Sequence, residues 1–228
     1  LNMASPLADK LRPKTLEDVV AQSHLLTRGQ VLRSIIDGGT IPNMIFYGPS
    51  GVGKTTVANI IASRAGKKLY RLNGTTASTA DIKEIVSQLN TFEGRNGVVL
   101  YLDEIQYLNK KQQQNLLEFI ENGSISLIAS TTENPYFYVY NAVVSRCTVF
   151  EFKPVEPAEV QQAVERAFRL CAEEYPGLTM EEGVAEHISF SCGGDVRKAL
   201  NAVELLFSAA PREGDTIRLL RADAENIT

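Results

Sequence analysis

Tryptophan is absent from this 228-residue chain, and histidine and cysteine are scarce, at two and three residues. Cys147, Cys171 and Cys192 lie far apart, are odd in number and form no C-x-x-C pair. That argues against a disulfide framework or a cysteine zinc site and leaves reduced thiols as the expectation. His24 and His187 sit near no second candidate ligand at metal-site spacing, so neither is assigned a metal. No apolar run approaches the roughly 20 residues that cross a bilayer, and the N-terminus lacks the apolar segment of a secretory signal. Leu1 and Asn2 precede Met3 and are set aside as a cloning remnant. No membrane partner is expected, and the expected location is the cytoplasm. There Asn73-Gly74-Thr75 and Asn122-Gly123-Ser124 carry no meaning as glycosylation acceptors. A basic excess is missing too, since the net charge is −4. A lone module that grips DNA usually carries one, so contact with nucleic acid is expected from a local patch or from several copies together.

What is present is an ordinary globular composition, 44% hydrophobic and 22% charged. The length suits one core domain with a smaller lid. The first half alternates apolar runs with helical patterns. Strands are expected at Asn43–Tyr47, Lys68–Leu72, Val98–Leu102, Ile125–Ala129 and Thr148–Phe152. Helices are expected at Thr55–Arg64, at Thr79–Leu89 from the spacing of Ile82, Ile85, Val86 and Leu89, and at Lys110–Glu121 before the stop Asn122-Gly123. Such alternation predicts an α/β fold with a five-stranded parallel sheet between helices. Pro154-Val155-Glu156-Pro157 marks a linker, and beyond it only helices are expected. One stripe runs from Val160 to Cys171, a second helix carries Val184 and Ile188, and a third stripe runs from Val196 to Leu206 after Gly193-Gly194-Asp195. The predicted division is therefore a nucleotide-binding core over residues 3–154 and an all-helical lid over residues 155–228. Pro211 to Thr228 is polar and ends without a stop signal, so the natural protein is expected to continue.

Gly48-Pro49-Ser50-Gly51-Val52-Gly53-Lys54-Thr55 fits G-x-x-x-x-G-K-[ST] at every position, after a strand and opening a helix. Its glycines let backbone N–H groups face phosphate oxygens, and the helix start adds a favourable dipole. Lys54 would reach the β- and γ-phosphates of ATP, and Thr55 would offer its hydroxyl to Mg²⁺. Thr56 completes the candidate nucleotide contacts. Val98-Val99-Leu100-Tyr101-Leu102-Asp103-Glu104 is an apolar strand that ends in two carboxylates. Asp103 suits the Mg²⁺ shell and Glu104 suits the general base for an attacking water. A charged strand end is a common accident alone. About fifty residues after a phosphate loop, it points to hydrolysis.

With those motifs placed, the chain from Pro6 to about Glu204 resembles P-loop AAA+ ATPases of the clamp-loader group, and within it the replication-associated recombination protein A family. Pro6-Leu7-Ala8-Asp9-Lys10-Leu11-Arg12-Pro13 and Leu16 to Gln22 are similar to the segment that packs on adenine, so Arg12, Pro13 and Val20 are implied nucleotide contacts. Ser130-Thr131-Thr132-Glu133-Asn134-Pro135 is similar to the sensor-1 region, with Thr131 and Asn134 implied; capping of the loop after the fourth strand is the alternative for those two, and sensor 1 is the favoured reading. Ser145-Arg146-Cys147 resembles the element whose arginine acts on a neighbour's nucleotide. Gly194-Asp195-Val196-Arg197 resembles sensor 2, with Arg197 as the sensing residue and nucleotide expected between core and lid. The chain departs from the family at Gln106-Tyr107, commonly His-Arg, and at Ala21, often Gly.

The resemblance implies a DNA-dependent ATPase in replication-fork maintenance and recombination. Its implied partners are forked or single-stranded DNA, replication proteins, and further copies in a ring joined through regions beyond Thr228. Alternatives are a clamp-loader subunit, a Holliday-junction branch-migration motor, and a nucleotide-gated switch without turnover. DNA contact is expected at the helix starts near Thr79–Lys83 and Asn109–Lys111. The aromatic cluster Tyr136, Phe137, Tyr138 and Tyr140 could stack bases, but packing is the favoured reading.

Overall fold

The computed structural model describes Leu11, residues 16–91 and residues 97–228. Arg12 and Pro13 therefore lie outside the described residues. Contacts divide the chain into two units. One comprises Gln22–Pro49 and Lys54–Phe152; the other comprises Ser50–Gly53, Lys153–Thr228 and the described residues up to Ala21.

The first unit is built on five strands, β1 (Met44–Tyr47), β2 (Lys68–Asn73), β3 (Val98–Asp103), β4 (Ser126–Thr131) and β5 (Thr148–Glu151). They pair in the order β2-β3-β4-β1-β5, every pair parallel. The five-stranded parallel sheet read from the sequence is thus present. Val98 to Leu102 are all buried, as an unbroken apolar run covered on both faces should be. Seven helices surround the sheet among the described residues: α1 (Ser23–Leu26), α2 (Val31–Gly38), α3 (Lys54–Arg64), α4 (Thr79–Ser87), α5 (Lys110–Glu121), α6 (Pro135–Tyr138) and α7 (Asn141–Val144). Ile45, Ile82, Leu100, Leu102, Leu116, Ile120, Leu127 and Val143 belong to one buried cluster. Truncating Leu116 to Ala there would cost about 2–5 kcal/mol.

Register decides what meets at the sheet's mouth. Tyr47 pairs with Thr131, Leu102 with Ala129 and Asn73 with Asp103. The carboxyl ends of β1, β3 and β4 consequently finish on one edge, beside the reversal of strand order where open α/β sheets form their crevice. α4 and α5 each open with a capping box, Ser78 with Asp81 and Asn109 with Gln112. The two starts are tied together, because Gln112 donates to the Ala77 carbonyl at 3.3 Å and Asn115 to the Thr79 hydroxyl at 3.3 Å.

The second unit holds α8 (Pro157–Glu174), α9 (Val184–Ser191), α10 (Val196–Ala209) and α11 (Arg221–Ile227). α8 packs on α9 and α10, and α11 packs on α9 and α10. The predicted stripes are the buried faces: Val160, Val164, Ala167 and Cys171 on α8, and Ala199, Val203 and Leu206 on α10. The expectation of helices alone is corrected here by a small sheet, β6 (Leu178–Met180), β7 (Arg212–Glu213) and β8 (Thr216–Leu219), in the order β6-β8-β7. β8 forms because Thr216-Ile217-Arg218-Leu219 alternates exposed with buried, sending Ile217 and Leu219 inward. Among the described residues no helix is long and apolar enough to cross a membrane.

Candidate active site

β1 ends at Tyr47 and the chain turns at Gly48, whose N–H donates to the Thr131 carbonyl at the end of β4 (3.1 Å). α3 then opens on Lys54, which is only 7% exposed. Its ammonium donates to the Gly48 carbonyl and makes a longer contact, 3.4 Å, with the Thr131 carbonyl. Burial lowers the Lys54 pKa below its ordinary value, while the charges of Glu104 and Asp103 act in the opposite direction. A buried cation therefore stands within electrostatic reach of both carboxylates.

The next residue, Thr55, places its hydroxyl 3.1 Å from that of Tyr101, a fully buried residue of β3. Burial raises the Tyr101 pKa against hydrogen bonds with Ser130 and Thr55. Ser130, at the end of β4, donates to Asp103 Oδ1, and Arg71 on β2 donates to Asp103 Oδ2 at 3.0 Å. Thr55 thus bonds to Tyr101 and Ser130 to Asp103, which brings four side chains from three elements together at the edge of the sheet. Burial pushes the Asp103 carboxyl up, but the bonds from Ser130 and Arg71 and the charges of Arg71 and Lys54 outweigh it. Its pKa lies below the ordinary value. The carboxylate is held ionised, and with the Thr55 hydroxyl it offers the hard oxygen donors that suit Mg²⁺. Among the described residues no group of three or more His, Cys, Asp or Glu could hold a metal by itself. A cation shared with phosphate oxygens is the arrangement these two donors fit.

Glu104 follows in the left-handed region, at φ 55° and ψ 51°, and accepts a hydrogen bond from Gln106 Nε2. Tyr101, Ser130, Arg71 and Gln106 were not among the predicted site residues. Their roles come from cross-strand register and from one tight loop, which motif spacing does not reveal.

Ser50–Gly53 belongs by its contacts to the second unit. There the Gly51 carbonyl accepts the Val196 N–H at 3.2 Å, at the start of α10. Gly51 has φ 75°, and a Cβ on it would run into the Asp195 carboxylate, so only glycine fits. Asp195 caps α10 by accepting the Lys198 N–H at 3.0 Å. Arg197 is exposed on the first turn of that helix, and Val52 is buried. Pro49 is exposed, and Thr56 and Val20 are half-buried.

Thr131 is fully buried, and its hydroxyl accepts the Glu133 N–H at 3.0 Å and donates to the Glu133 carbonyl at 3.1 Å. Asn134 caps α6 by accepting the Tyr136 N–H at 3.0 Å. Both side chains are thus engaged in local turn and cap bonds. Arg146 lies elsewhere, before the amino end of β5 and so at the edge opposite Lys54 and Asp103. It is 43% exposed, pairs with Glu121 at 2.5 Å and donates to the Ala142 carbonyl at 3.0 Å. Tyr136, Phe137 and Tyr138 are exposed, while half-buried Tyr140 lies under the Lys110 ammonium at 5.6 Å.

Residues 44–155 match the model of the ATPase family associated with various cellular activities (AAA). Replication-associated recombination protein A of Bacillus subtilis is 38% identical over 215 residues, covering 92% of this chain and 50% of that protein. The Haemophilus influenzae protein of the same name is 40% identical over 215 residues, covering 92% and 48%. The chain spans about half the length of these curated relatives. A Thermotoga maritima RuvB Holliday junction branch migration motor matches in fold with a TM-score of 0.73, over 96% of this chain and 72% of that one, at 23% identity.

Proposed function

From a chain that belongs to the AAA family of ATPases, we infer an enzyme that binds ATP with Mg²⁺ and hydrolyses it. One observation carries this reading. A buried ammonium, Lys54, and two carboxylates, Asp103 and Glu104, gather at the carboxyl edge of one sheet, where their opposite charges attract. The loop Gly48–Gly53 offers backbone N–H groups to the phosphates, and Lys54 places its charge on the β- and γ-phosphate oxygens. Thr55 and Asp103 hold Mg²⁺, which when bound neutralises charge on the phosphates. Glu104 accepts a proton as water oxygen bonds to the γ-phosphorus and the bond to ADP breaks. Thr131, Asn134 and Arg197 serve as sensors of nucleotide state. Arg146 serves the site of a neighbouring copy, a reading supported by its place on the edge away from its own Lys54.

The relatives named for recombination support a reading of the work that hydrolysis drives. In this reading the whole protein is a DNA-dependent ATPase of replication and recombination, acting as an oligomer on forked or single-stranded DNA. The starts of α4 and α5 are the contacts with phosphate. Capping boxes already occupy part of their backbone N–H groups, so Lys83, Lys110 and Lys111 carry most of that contact. Phosphate release by the full-length protein, with and without forked DNA, tests the reading. Turnover should need Mg²⁺ and rise with DNA. ATP binding without turnover under both conditions would make the protein a nucleotide-gated switch and contradict it.

A further inference from the structure

Gln106 spends its only described polar contact on Glu104. The Glu104 backbone is fixed on two sides. Its carbonyl accepts the Tyr107 N–H at 3.1 Å, and Gly74 packs so closely that a Cβ there would run into that same oxygen. Gly74 is itself anchored, its N–H donating to the Asp103 carbonyl at 2.7 Å. With the backbone pinned, the carboxylate can change place only by side-chain rotation, and the hydrogen bond from Gln106 Nε2 opposes that rotation. The other end of the amide, Oε1, is buried and meets no donor among the described residues. Charge fixes this orientation, because an amide oxygen turned towards the carboxylate would repel it while the NH₂ attracts. Nor does the side chain build the turn. Ile105–Tyr107 is closed by backbone bonds from Tyr107 to Glu104 and from Leu108 to Ile105, both 3.1 Å.

We propose that Gln106 is a positioning residue for Glu104, holding the carboxylate in the orientation that takes the proton of the attacking water. The proposal rests on the reading of Glu104 as the base. A neutral donor suits the task, since it fixes the carboxylate without the competing charge of a lysine or arginine.

Kinetics of the full-length protein test it. Gln106→Leu keeps the size and removes the donor. Its kcat should fall by about 10–100-fold, the scale of a misoriented catalytic group. Its dissociation constant for Mg²⁺–ATP should stay within about twofold, as for loss of an interaction made only in the transition state. Gln106→His keeps a ring N–H and should recover most of the lost rate. Gln106→Glu sets a second carboxylate against the first, so the acid limb of the kcat profile should move to higher pH, which a merely structural loss would not do. Wild-type or faster turnover by Gln106→Leu overturns the proposal. So does a parallel loss of nucleotide affinity, which would make the residue structural. If Gln106→Leu fails to fold, an unmoved acid limb in Gln106→Glu overturns it instead. Glu104→Gln in the same assay separates the two levels. If that variant hydrolyses normally, the reading of Glu104 fails; if it is inactive while Gln106→Leu is unaffected, only the positioning role fails.

Discussion

Replacing Lys54 with methionine should greatly weaken nucleotide binding while barely changing the fold. Lys54 is 7% exposed, and its ammonium donates to the carbonyls of Gly48 and Thr131. Thr131 keeps a partner when the lysine is gone, because the Gly48 N–H also donates to it at 3.1 Å. Gly48 loses its partner, and a buried acceptor left unpaired costs about 1–3 kcal/mol. Removing the buried ammonium also ends its desolvation cost, which opposes that loss. The net change is therefore smaller than the loss of the Gly48 partner alone, and at about 2–4 °C per kcal/mol for a chain of this size, Tm should fall by only a few degrees. Binding has no such offset. Two charge-assisted hydrogen bonds to phosphate, each about 1.5–3 kcal/mol, total about 3–6 kcal/mol, which weakens the dissociation constant by about 10²–10⁴. Calorimetric titration with Mg²⁺–ATP beside a thermal melt reads both quantities. The sign of the pH effect is also fixed. The folded Lys54 pKa lies below its ordinary 10.5, so the unfolded chain holds that proton more tightly. The wild-type protein gains stability as pH rises from the folded value towards 10.5, and Lys54→Met lacks this gain. ATP affinity within about threefold of wild type would refute the phosphate-facing role, whose expected loss is far larger.

Asp103→Asn should flatten the fall in stability at low pH. The folded pKa is depressed, so its contribution is present above the ordinary 3.8 and is lost as pH drops through the folded value; urea melts across that range check it. Tyr101→Phe removes the partner of the Thr55 hydroxyl at a cost of about 1 kcal/mol, and should raise the Mg²⁺ concentration needed for half-maximal ATP binding. Gly51→Ala should destabilise by about 1–3 kcal/mol, from a non-glycine residue at φ 75° against Asp195, visible in chemical denaturation. Arg146→Ala should spare ATP affinity and depress turnover of the oligomer by about 10³–10⁵. Mixing it with Lys54→Met should restore part of the activity, since some interfaces pair an intact loop with an intact arginine.

The sheet was legible because β1, β3 and β4 are apolar runs set between helical periods, and Val98–Leu102 could hardly be read otherwise. Lys54, Thr55, Asp103 and Glu104 were legible because phosphate chemistry needs those residue types at set places after a strand. The small sheet escaped because Leu178–Met180 and Thr216–Leu219 are too short to stand out. The two-residue alternation of Ile217 and Leu219 was nevertheless there to be read. α2 was also missed, although Leu32 and Ile36 sit one turn apart and both are buried. Tyr101 looked like one more apolar strand residue; its hydroxyl matters only because β3 brings it beside Thr55 and Ser130. Gln106 stood out as a departure from the family, but its contact with Glu104 depends on a left-handed turn that no spacing rule predicts. Arg146 could be placed before β5, yet its pairing with Glu121 required the packed structure.

The central claim is that the carboxyl edge of this sheet cleaves ATP with Glu104 as base, and quench-flow on Glu104→Gln tests it most directly. The full-length variant is loaded with labelled Mg²⁺–ATP, and the bound nucleotide is separated after defined times. Near wild-type affinity should accompany recovery of the bound label as ATP, with cleavage slower by about 10²–10⁴, the contribution of a general base. Cleavage of bound ATP at the wild-type rate would contradict the account.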